Sequence, residues 1–228
     1  TYTHSIVIND ANAPWPYPWQ QRIGRKYGQR FGYTALGLFK SDDEVANSPM
    51  QTGTNKAGDI RFKDLNGDGI INSYDEGPIG YGAIPQIVYG FGPTITWKNW
   101  SVSGWFKGIS SVDIMLNGDG LQPFSQGGER GNLLAQITDR WTPDNPNLHP
   151  MYPRLTYGND NMNYQTSTWW LKNGAFLRLQ TAELSYDFRG KKWLDKVGMS
   201  NLDLYFIGEN LLTISGFILW DRELGDGR

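Results

Sequence analysis

The chain has 228 residues and a formal net charge of −2, so it has the size of one large all-β domain or two small ones and lacks the basic field of a nucleic-acid-binding protein. Its two histidines and the absence of cysteine leave little material for histidine-based catalysis, a thiol nucleophile or a thiolate zinc site. Aromatic residues are abundant, with 10 Trp, 12 Tyr and 10 Phe, although the mean hydropathy is only −0.52.

This composition fits two classes of β protein. One is a soluble β-rich binding domain, and the other is a transmembrane β-barrel, whose alternating strands escape hydropathy analysis. No window of about 18 apolar residues predicts a transmembrane helix. Because the N-terminal sequence has neither a signal-peptide pattern nor an initiator methionine, we expect the chain to be a piece of a longer protein.

The first distinctive stretch is "PWPYPW" at 14–19, and further tryptophans lie in or beside a long segment at 109–172. Exposed aromatic rings can stack on sugar rings or contact a lid, whereas proline-stiffened loops also use such rings for their own packing. Both interpretations stay open from the sequence. The candidate ligand-binding residues are Trp15, Tyr17, Trp19, Trp141, Trp169 and Trp170.

The segment "DLNGDGIINSYDE" at 64–76 has the pattern of an EF-hand calcium loop, which requires oxygen ligands at positions 1, 3, 5, 7, 9 and 12 and a glycine at position 6. Gly69 fills the turn position, and an aspartate at position 12 is shorter than the usual glutamate. The alternative is an Asx- and Gly-rich turn with incidental acids. The predicted Ca²⁺ ligands are Asp64, Asn66, Asp68, the Ile70 carbonyl, Asn72 and Asp75.

The segments around this loop are predicted to be β-structure and not helices. We therefore expect the ion to stiffen a long loop and to have no signalling role. The similar "NGDG" at 117–120 lacks ligands at the other spacings and is predicted to be a turn.

Residues 87–97 alternate large apolar with small or polar residues over eleven positions, which predicts a long strand. A turn at 98–99 leads to a second strand at 100–108, and Pro93 predicts a local irregularity. A tilted strand of about 9–11 residues can cross a bilayer. Trp97 and Trp100 flank the turn, where an interfacial aromatic girdle would lie.

A second strand pair is predicted at 176–188 and 201–214, joined by a connection with a short helical turn at 189–200. The alternation slips near Gln180, which predicts a β-bulge. Glu183, Asp187 and Asp203 fall on the second face of this pair, as expected for a water-filled lumen, and would be costly in lipid.

The lengths of the connections predict the orientation, because outer-membrane barrels have short periplasmic turns and long extracellular loops. On this basis 1–86 is an extracellular loop region that holds the calcium loop at 64–75. Residues 87–214 supply barrel strands with a long extracellular loop at 109–172, and 215–228 begin another extracellular loop.

Several blocks, in collinear order, resemble the C-terminal part of the SusC/RagA-type TonB-dependent outer-membrane transporters of Bacteroidetes. The resemblance covers nearly the whole chain. The blocks are "FGYTALGLFKSDDEVANSP" at 31–49, "AGDIRFKDLNGDGIINSYDEGPIGYGAIPQIVYGFG" at 57–92, "RWTPDNP" at 140–146, "YPRL" at 152–155, "FLRLQTAELSYDF" at 176–188 and "LYFIGENLLTISGFILWD" at 204–221.

This resemblance implies an all-β fold: an antiparallel, roughly 22-stranded transmembrane barrel with long extracellular loops, closed by a plug. It implies partners as well, namely TonB, outer-membrane lipid and a SusD-like surface lipoprotein, and a substrate that is an oligosaccharide or a peptide. The plug, the TonB box and the last strand are not found in these 228 residues, so we expect a fragment that works only with the rest of its barrel.

Two functions other than import are compatible with the sequence. One is a secreted, calcium-stabilised β-sandwich that binds carbohydrate, which would be soluble alone. The other is a glycoside hydrolase domain, which requires two carboxylates about 5–10 Å apart. Because most acids here are accounted for by the calcium loop and the polar strand face, we expect no enzyme.

Overall fold

The computed structural model describes residues 1–12, 14–125, 131–157, 161–221 and 223. The chain divides into two compact units. The sheet unit consists of Thr1–Thr3, Pro85–Ser111 and Gly174–Arg222, and the loop unit consists of His4–Ile84, Val112–Asn173 and Glu223–Arg228. The predicted loop start at 215–228 lies outside the described residues at 222 and at 224–228.

Strands dominate both units. The sheet unit holds the long strands β7 (Ile87–Phe91), β8 (Thr94–Trp97), β9 (Trp100–Ser110), β12 (Phe176–Asp187) and β13 (Asp203–Ser215). The loop unit holds the short strands β1 (Arg30–Gly32), β2 (Ala35–Leu38), β3 (Met50–Gln51), β4 (Ile60–Phe62), β5 (Ile70–Ile71), β6 (Gly77–Ile79), β10 (Asp113–Met115) and β11 (Leu171–Asn173).

Helical structure is sparse. The α-helices are α1 (Asp42–Ala46) and α2 (Lys192–Lys196), and single 3-10 turns occur at Pro18–Gln20, Ser73–Asp75 and Ala135–Thr138. Over the residues that the structure describes, none of the helices has the length and apolar character needed to traverse a membrane. The α2 helix confirms the helical turn predicted within 189–200.

The sheet unit is one antiparallel sheet with the strand order β13-β12-β9-β7, in which β8 also pairs with β9. Strands β7 and β8 follow the same edge of β9 and are separated at Gly92 and Pro93. Pro93 has no N–H for the ladder, and its carbonyl accepts a hydrogen bond from the Gly104 N–H at 3.1 Å. The irregularity predicted at Pro93 is therefore confirmed.

The two faces of this sheet differ as the alternation predicts. Directly paired rows across β9, β12 and β13 place Val102, Leu184 and Phe206 on one face. The next row places Ser103, Glu183 and Ile207 on the other. Phe206 is 67% exposed, so the apolar face is not covered by the described residues of this chain.

The phase slip near Gln180 is a β-bulge. The register of β12 shifts between Leu179 and Thr181 against both neighbouring strands. On the partner strand β13, Asn210 has a φ of 54° beside the same shift. The bulge keeps the apolar residues of β12 on one face, since Leu177 and Leu179 precede it and Leu184 follows it.

The predicted all-β class is confirmed, because strands form nearly all the regular structure of the described residues. The described strands do not close the sheet into a ring: β13 forms one edge, and β7 and β8 form the other. At this second edge Thr1–Thr3 pairs only with the start of β7, through an antiparallel bridge between Tyr2 and Ile87. Closure into a barrel and the number of strands stay predictions.

The loop unit has a core of its own, although its strands are only two to four residues long. Its paired strands are β1 with β6, β2 with β4, β3 with β5 and β10 with β11. Large side chains fill the centre and stabilise these short pairs by burial. The most deeply buried include Phe39, Ile60, Phe62, Ile71, Met115, Leu116, Tyr152 and Trp170.

Candidate functional site

The predicted calcium loop is a compact turn between β4 and β6 whose acids accept hydrogen bonds from its own backbone. Asp64 Oδ1 accepts from the Gly67 N–H at 2.6 Å, and Asp64 Oδ2 accepts from the Gly69 N–H at 2.9 Å. Asp68 Oδ1 accepts from the Ile70 N–H at 2.8 Å. Gly67 and Gly69 have φ values of 76° and 82°, which favour glycine and allow the chain to wrap around these oxygens.

Asp75 closes the loop and is completely buried. Its Oδ1 accepts from the Leu65 N–H at 2.7 Å, and its Oδ2 accepts from the Asn72 N–H at 2.9 Å. Asn72 Oδ1 in turn accepts from the Tyr74 N–H at 2.8 Å, which completes a capping box at the 3-10 turn. Asp75 therefore ties the two ends of the loop together.

The donor set of this loop has the chemistry that Ca²⁺ prefers, since carboxylate, amide and carbonyl oxygens occupy the required positions. Each carboxylate oxygen that accepts one N–H retains a further lone pair. Within the described ranges, however, no group of three or more His, Cys, Asp or Glu side chains is close enough together to hold a metal ion. The carboxylates of Asp64, Asp68 and Asp75 therefore do not form one cluster in this structure.

Two of the predicted ligand-binding aromatics pack on this loop. The rings of Tyr17 and Trp19 are stacked with centroids 4.6 Å apart, and Tyr17 meets Tyr74 edge-on at 5.6 Å. The Trp19 indole N–H donates to the Tyr74 carbonyl at 2.8 Å, and the Gln20 side chain donates to the Ser73 carbonyl at 2.8 Å. The "PWPYPW" stretch thus supports the 64–75 loop through ring packing and hydrogen bonds.

Trp15 belongs to a different set of contacts. Its indole N–H donates to Asp10 Oδ2 at 2.7 Å, and the Arg22 guanidinium lies 5.1 Å from its ring centroid. The hydrogen bond from Trp15 is the main cause that lowers the pKa of Asp10. Trp15 is thereby oriented by a carboxylate and a cation, with part of its surface exposed.

Trp141 and Trp170 lie in the core of the loop unit. Trp141 is 7% exposed and its ring covers Gly58, and Trp170 is 1% exposed and donates its indole N–H to the Asn163 carbonyl at 2.7 Å. Neither presents a ring face to solvent, so their positions are explained by packing. Trp169 is only partly buried and lines an open cleft with Lys172. Ligand binding by the six aromatics stays a prediction.

A buried ionic network in the loop unit was missed by the sequence analysis. Asp59 is completely buried and accepts hydrogen bonds from Arg154 Nε at 3.0 Å, from Arg154 Nη2 at 2.7 Å and from Asn163 Nδ2 at 2.9 Å. Asn163 Oδ1 accepts from the Ile60 N–H at 2.9 Å. The network joins the "AGDI" segment to the "YPRL" and "NMNY" segments, which lie about a hundred residues further along the chain, and no local pattern connects them.

The residue after the loop contributes to the electrostatics of the core. Burial raises the pKa of the Tyr33 hydroxyl, and the negative charge of Glu76 raises it further. Tyr33 therefore stays neutral at physiological pH. Its ring packs against Phe62 with centroids 5.3 Å apart, which links the end of the 64–75 loop to β4.

Comparisons with known proteins agree with the resemblance in the sequence. The chain is 31% identical over 198 residues to TonB-dependent receptor P26 of Formosa agariphila, an alignment that covers 84% of this chain and 19% of the relative. It is 26% identical over 196 residues to TonB-dependent receptor P3 of the same organism, covering 86% of this chain and 18% of that relative. No family model matches the chain.

Solved structures support the fold. The RagAB peptide importer in its "open-open" state matches with a TM-score of 0.60 and 21% identity, over 94% of this chain and 22% of that chain. The RagAB peptide transporter matches with a TM-score of 0.62 and 19% identity, over 91% of this chain and 21% of that chain. The chain spans about one fifth of the length of each relative. In sequence the chain is similar to a segment of TonB-dependent receptors, and in fold it is similar to a segment of the RagAB importer.

Proposed function

We propose that the chain is part of an outer-membrane importer that is driven through TonB and takes up oligosaccharides or peptides together with a SusD-like surface lipoprotein. The observation that carries this proposal is the match to a TonB-dependent receptor over 84% of the chain, joined to the fold of a peptide importer. In this proposal transport proceeds by conformational change, and we expect no covalent chemistry.

The sheet unit supports a membrane role for its strands. Strands β9, β12 and β13 are 11, 12 and 13 residues long, which is enough for a tilted strand to cross a bilayer. One face carries an uninterrupted apolar row and the other carries Glu183, Lys107 and Arg178, as a lipid face and a wet lumen require. The open edges at β7 and β13 would pair with further strands of the same barrel.

Aromatic residues gather at the turn end of the sheet. The Trp100 ring meets Tyr186 edge-on at 4.7 Å, Tyr186 meets Phe188 at 4.5 Å, and Phe188 meets Trp193 of α2 at 5.8 Å. A chain of amphipathic rings at strand ends suits a membrane–water interface. In this proposal the short turns face the periplasm and the loop unit belongs to the cell surface.

The importer proposal is tested in the bacterium that carries the full-length protein. A strain without the gene should fail to grow on a particular polysaccharide or peptide mixture as sole carbon source, and a plasmid copy should restore growth. A tagged full-length protein should be extracted from outer membranes only with detergent and should co-purify with a SusD-like lipoprotein. Recovery of a soluble protein without detergent would overturn the proposal.

A secreted β-sandwich that binds carbohydrate is the alternative that the sequence left open. It is not favoured, because the relatives are named as TonB-dependent receptors. The detergent requirement in the experiment above separates the two, since a sandwich domain would remain in solution.

We also propose that the 64–75 loop binds one Ca²⁺ ion. The support is the donor set at positions 1 to 12 and the two positive-φ glycines that hold the turn. Ion binding would draw the carboxylates of Asp64 and Asp68 together and neutralise their repulsion. Since Tyr17, Trp19 and Gln20 pack on the loop, the ion would stiffen them with it.

The calcium proposal predicts the metal content of the purified full-length transporter. Replacing both Asp64 and Asp68 by asparagine removes two charges and leaves one acceptor oxygen at each position, so one of the two N–H groups on Asp64 loses its partner. One equivalent of bound Ca²⁺ should be lost in elemental analysis. Chelation should also speed proteolysis of the wild-type loop by about tenfold or more, which corresponds to a local stabilisation of about 1.4 kcal/mol.

The "NGDG" turn at 117–120 offers the matched control for this measurement. Asp119→Asn changes the same residue type in a similar tetrapeptide without the other ligand positions, and it should leave the Ca²⁺ content unchanged. Equal Ca²⁺ content in the wild type and in the Asp64/Asp68 double variant would contradict a calcium loop.

A further inference from the structure

An open cleft in the loop unit, outside the 64–75 loop, contains a lysine that forms no salt bridge with a carboxylate of the described residues. The cleft has a volume of about 310 Å³ and is lined by residues of β2, β11 and the segments before them, among them His149, Thr168, Trp169 and Lys172. This volume lies at the lower end of the range for small-ligand sites and suits one sugar ring or one amino-acid side chain. Two of its lining residues have basic side chains and none is acidic.

Lys172 is the residue that defines the chemistry of this cleft. Its ammonium group donates one hydrogen bond, to the Trp169 carbonyl at 3.1 Å, which leaves two N–H donors for another acceptor. Among the described residues, no carboxylate forms a salt bridge with it. The pKa of Lys172 is lowered, and the cause is burial alone.

Neighbouring residues hold the cleft open. Thr168 Oγ1 accepts a hydrogen bond from the Ala35 N–H at 2.9 Å, which fixes the wall between β2 and β11. Gly37 on β2 follows a register shift against β4, and a Cβ atom at this position would meet no atom within 4 Å. Trp169 contributes an aromatic side chain beside the lysine, a combination suited to an acidic ligand with an apolar ring face.

We propose that this cleft is a subsite for a carboxylate group on the ligand. A carboxylate would supply the acidic partner that the described residues do not give this partly buried ammonium and would accept its two remaining N–H donors, which is the arrangement of a strong charge-assisted hydrogen bond. The carboxylate belongs either to a uronic acid of a glycan or to an acidic side chain or C-terminus of a peptide. The claim that this carboxylate belongs to an imported substrate rests on the proposed function. The claim that the cleft binds a carboxylate is independent of that function.

The test measures the reactivity of Lys172 in the detergent-solubilised full-length transporter. An amine-acetylating reagent at pH 8 modifies the neutral amine, and mass spectrometry reports the rate at each lysine. Galacturonate or N-acetylaspartate at about ten times its Kd should slow acetylation of Lys172 about tenfold, because bound ligand covers the amine and holds it protonated. The exposed Lys192 in α2 is the internal control and should react at an unchanged rate.

The choice of added compounds separates the sources of the carboxylate. Stronger protection by galacturonate indicates an acidic glycan, and stronger protection by N-acetylaspartate indicates an acidic peptide. Neutral galactose and sodium chloride of equal ionic strength should give no protection. Equal protection by chloride, or protection by neither carboxylate, would overturn the subsite.

Variants at Lys172 give a second measurement. Saturation-transfer NMR should show galacturonate or N-acetylaspartate binding to wild type and to Lys172→Arg, which keeps the charge, and at least a tenfold loss with Lys172→Gln. A loss equal in both variants would contradict the charge-based role. The two proposals can fail separately. If the protein binds a carboxylate but deletion of its gene leaves growth unaffected, the importer proposal is wrong and the subsite proposal stands.

Discussion

Replacing Asp59 by alanine is expected to open the core of the loop unit. Asp59 is completely buried and accepts two hydrogen bonds from the Arg154 guanidinium and one from Asn163, so its removal leaves a partly buried cation and an amide without their acceptor. Breaking a buried, hydrogen-bonded ion pair by removing one partner costs about 3–5 kcal/mol. Amide hydrogen exchange within 57–62 should accelerate by a factor of about 150 to 5,000, which corresponds to that loss.

An exposed ion pair of the same chain provides the control. Arg189 lies 3.7 Å from Asp187, and their side chains are 73% and 36% exposed, so Arg189→Ala should change exchange of its surroundings by no more than about fivefold. Exchange within 57–62 that rises less than about threefold in the Asp59→Ala protein would show that the network does not hold the core together.

Replacing Gly58 by alanine is expected to have the second large effect. Gly58 has a φ of 87°, and an added Cβ would fall inside van der Waals contact with the Trp141 ring. The Gly58 carbonyl also accepts a hydrogen bond from the Arg154 N–H at 2.8 Å, so displacing this backbone would disturb the Asp59 network as well. We expect a loss of about 3 kcal/mol or more in the stability of the loop unit, from backbone strain and overpacking together.

Gly24 separates these two causes. It has nearly the same φ, 81°, and an added Cβ there would meet no atom within 4 Å. Gly24→Ala should therefore report backbone strain alone, about 1–2 kcal/mol, and the excess in Gly58→Ala should report the contact with Trp141. The stability loss of each variant can be measured by hydrogen exchange, or by the denaturant concentration at which the full-length protein becomes half susceptible to proteolysis. Equal losses in the two variants would contradict the packing role of Trp141.

The double variant Gly58→Ala with Trp141→Phe would sharpen this comparison. A smaller ring leaves room for the added methyl group, so the double variant should lose less than the sum of the two single variants. Additive losses would mean that the strain is confined to the backbone of Gly58.

These predictions also bear on the family blocks in the sequence. The "AGDI" block at 57–60 supplies the glycine under Trp141 and the buried aspartate, and "RWTPDNP" at 140–146 supplies the ring. The "YPRL" block at 152–155 supplies Arg154, which neutralises Asp59. Three motifs that resemble the SusC/RagA-type family therefore meet in one packed network, and their common role in this chain is structural.

The sequence by itself determined the features that depend on near neighbours in the chain. Alternation over 87–108 and 176–214 predicted the long strands and their two faces, because successive side chains of a strand point to opposite sides. The phase slip predicted the bulge at Gln180, and the missing N–H predicted the break at Pro93. The spacing of acids and glycines at 64–75 predicted a calcium loop, with an Asx- and Gly-rich turn as the alternative. The structure shows the turn, in which acids accept hydrogen bonds from N–H groups a few residues away, and calcium binding stays a prediction.

Only the tertiary structure decided which distant residues share a site. Asp59 and Arg154 are 95 residues apart, and nothing in either segment specifies the other. The same holds for Tyr17 and Tyr74, which are also distant in sequence. From the sequence, the aromatic stretch at 14–19 could serve ligand binding or loop packing, and the structure shows Tyr17 packed against Tyr74. Local patterns arise from backbone geometry, which is the same in every protein. The path of a long loop is set by burial and by the pairing of polar groups, so it appears only when the whole core is assembled.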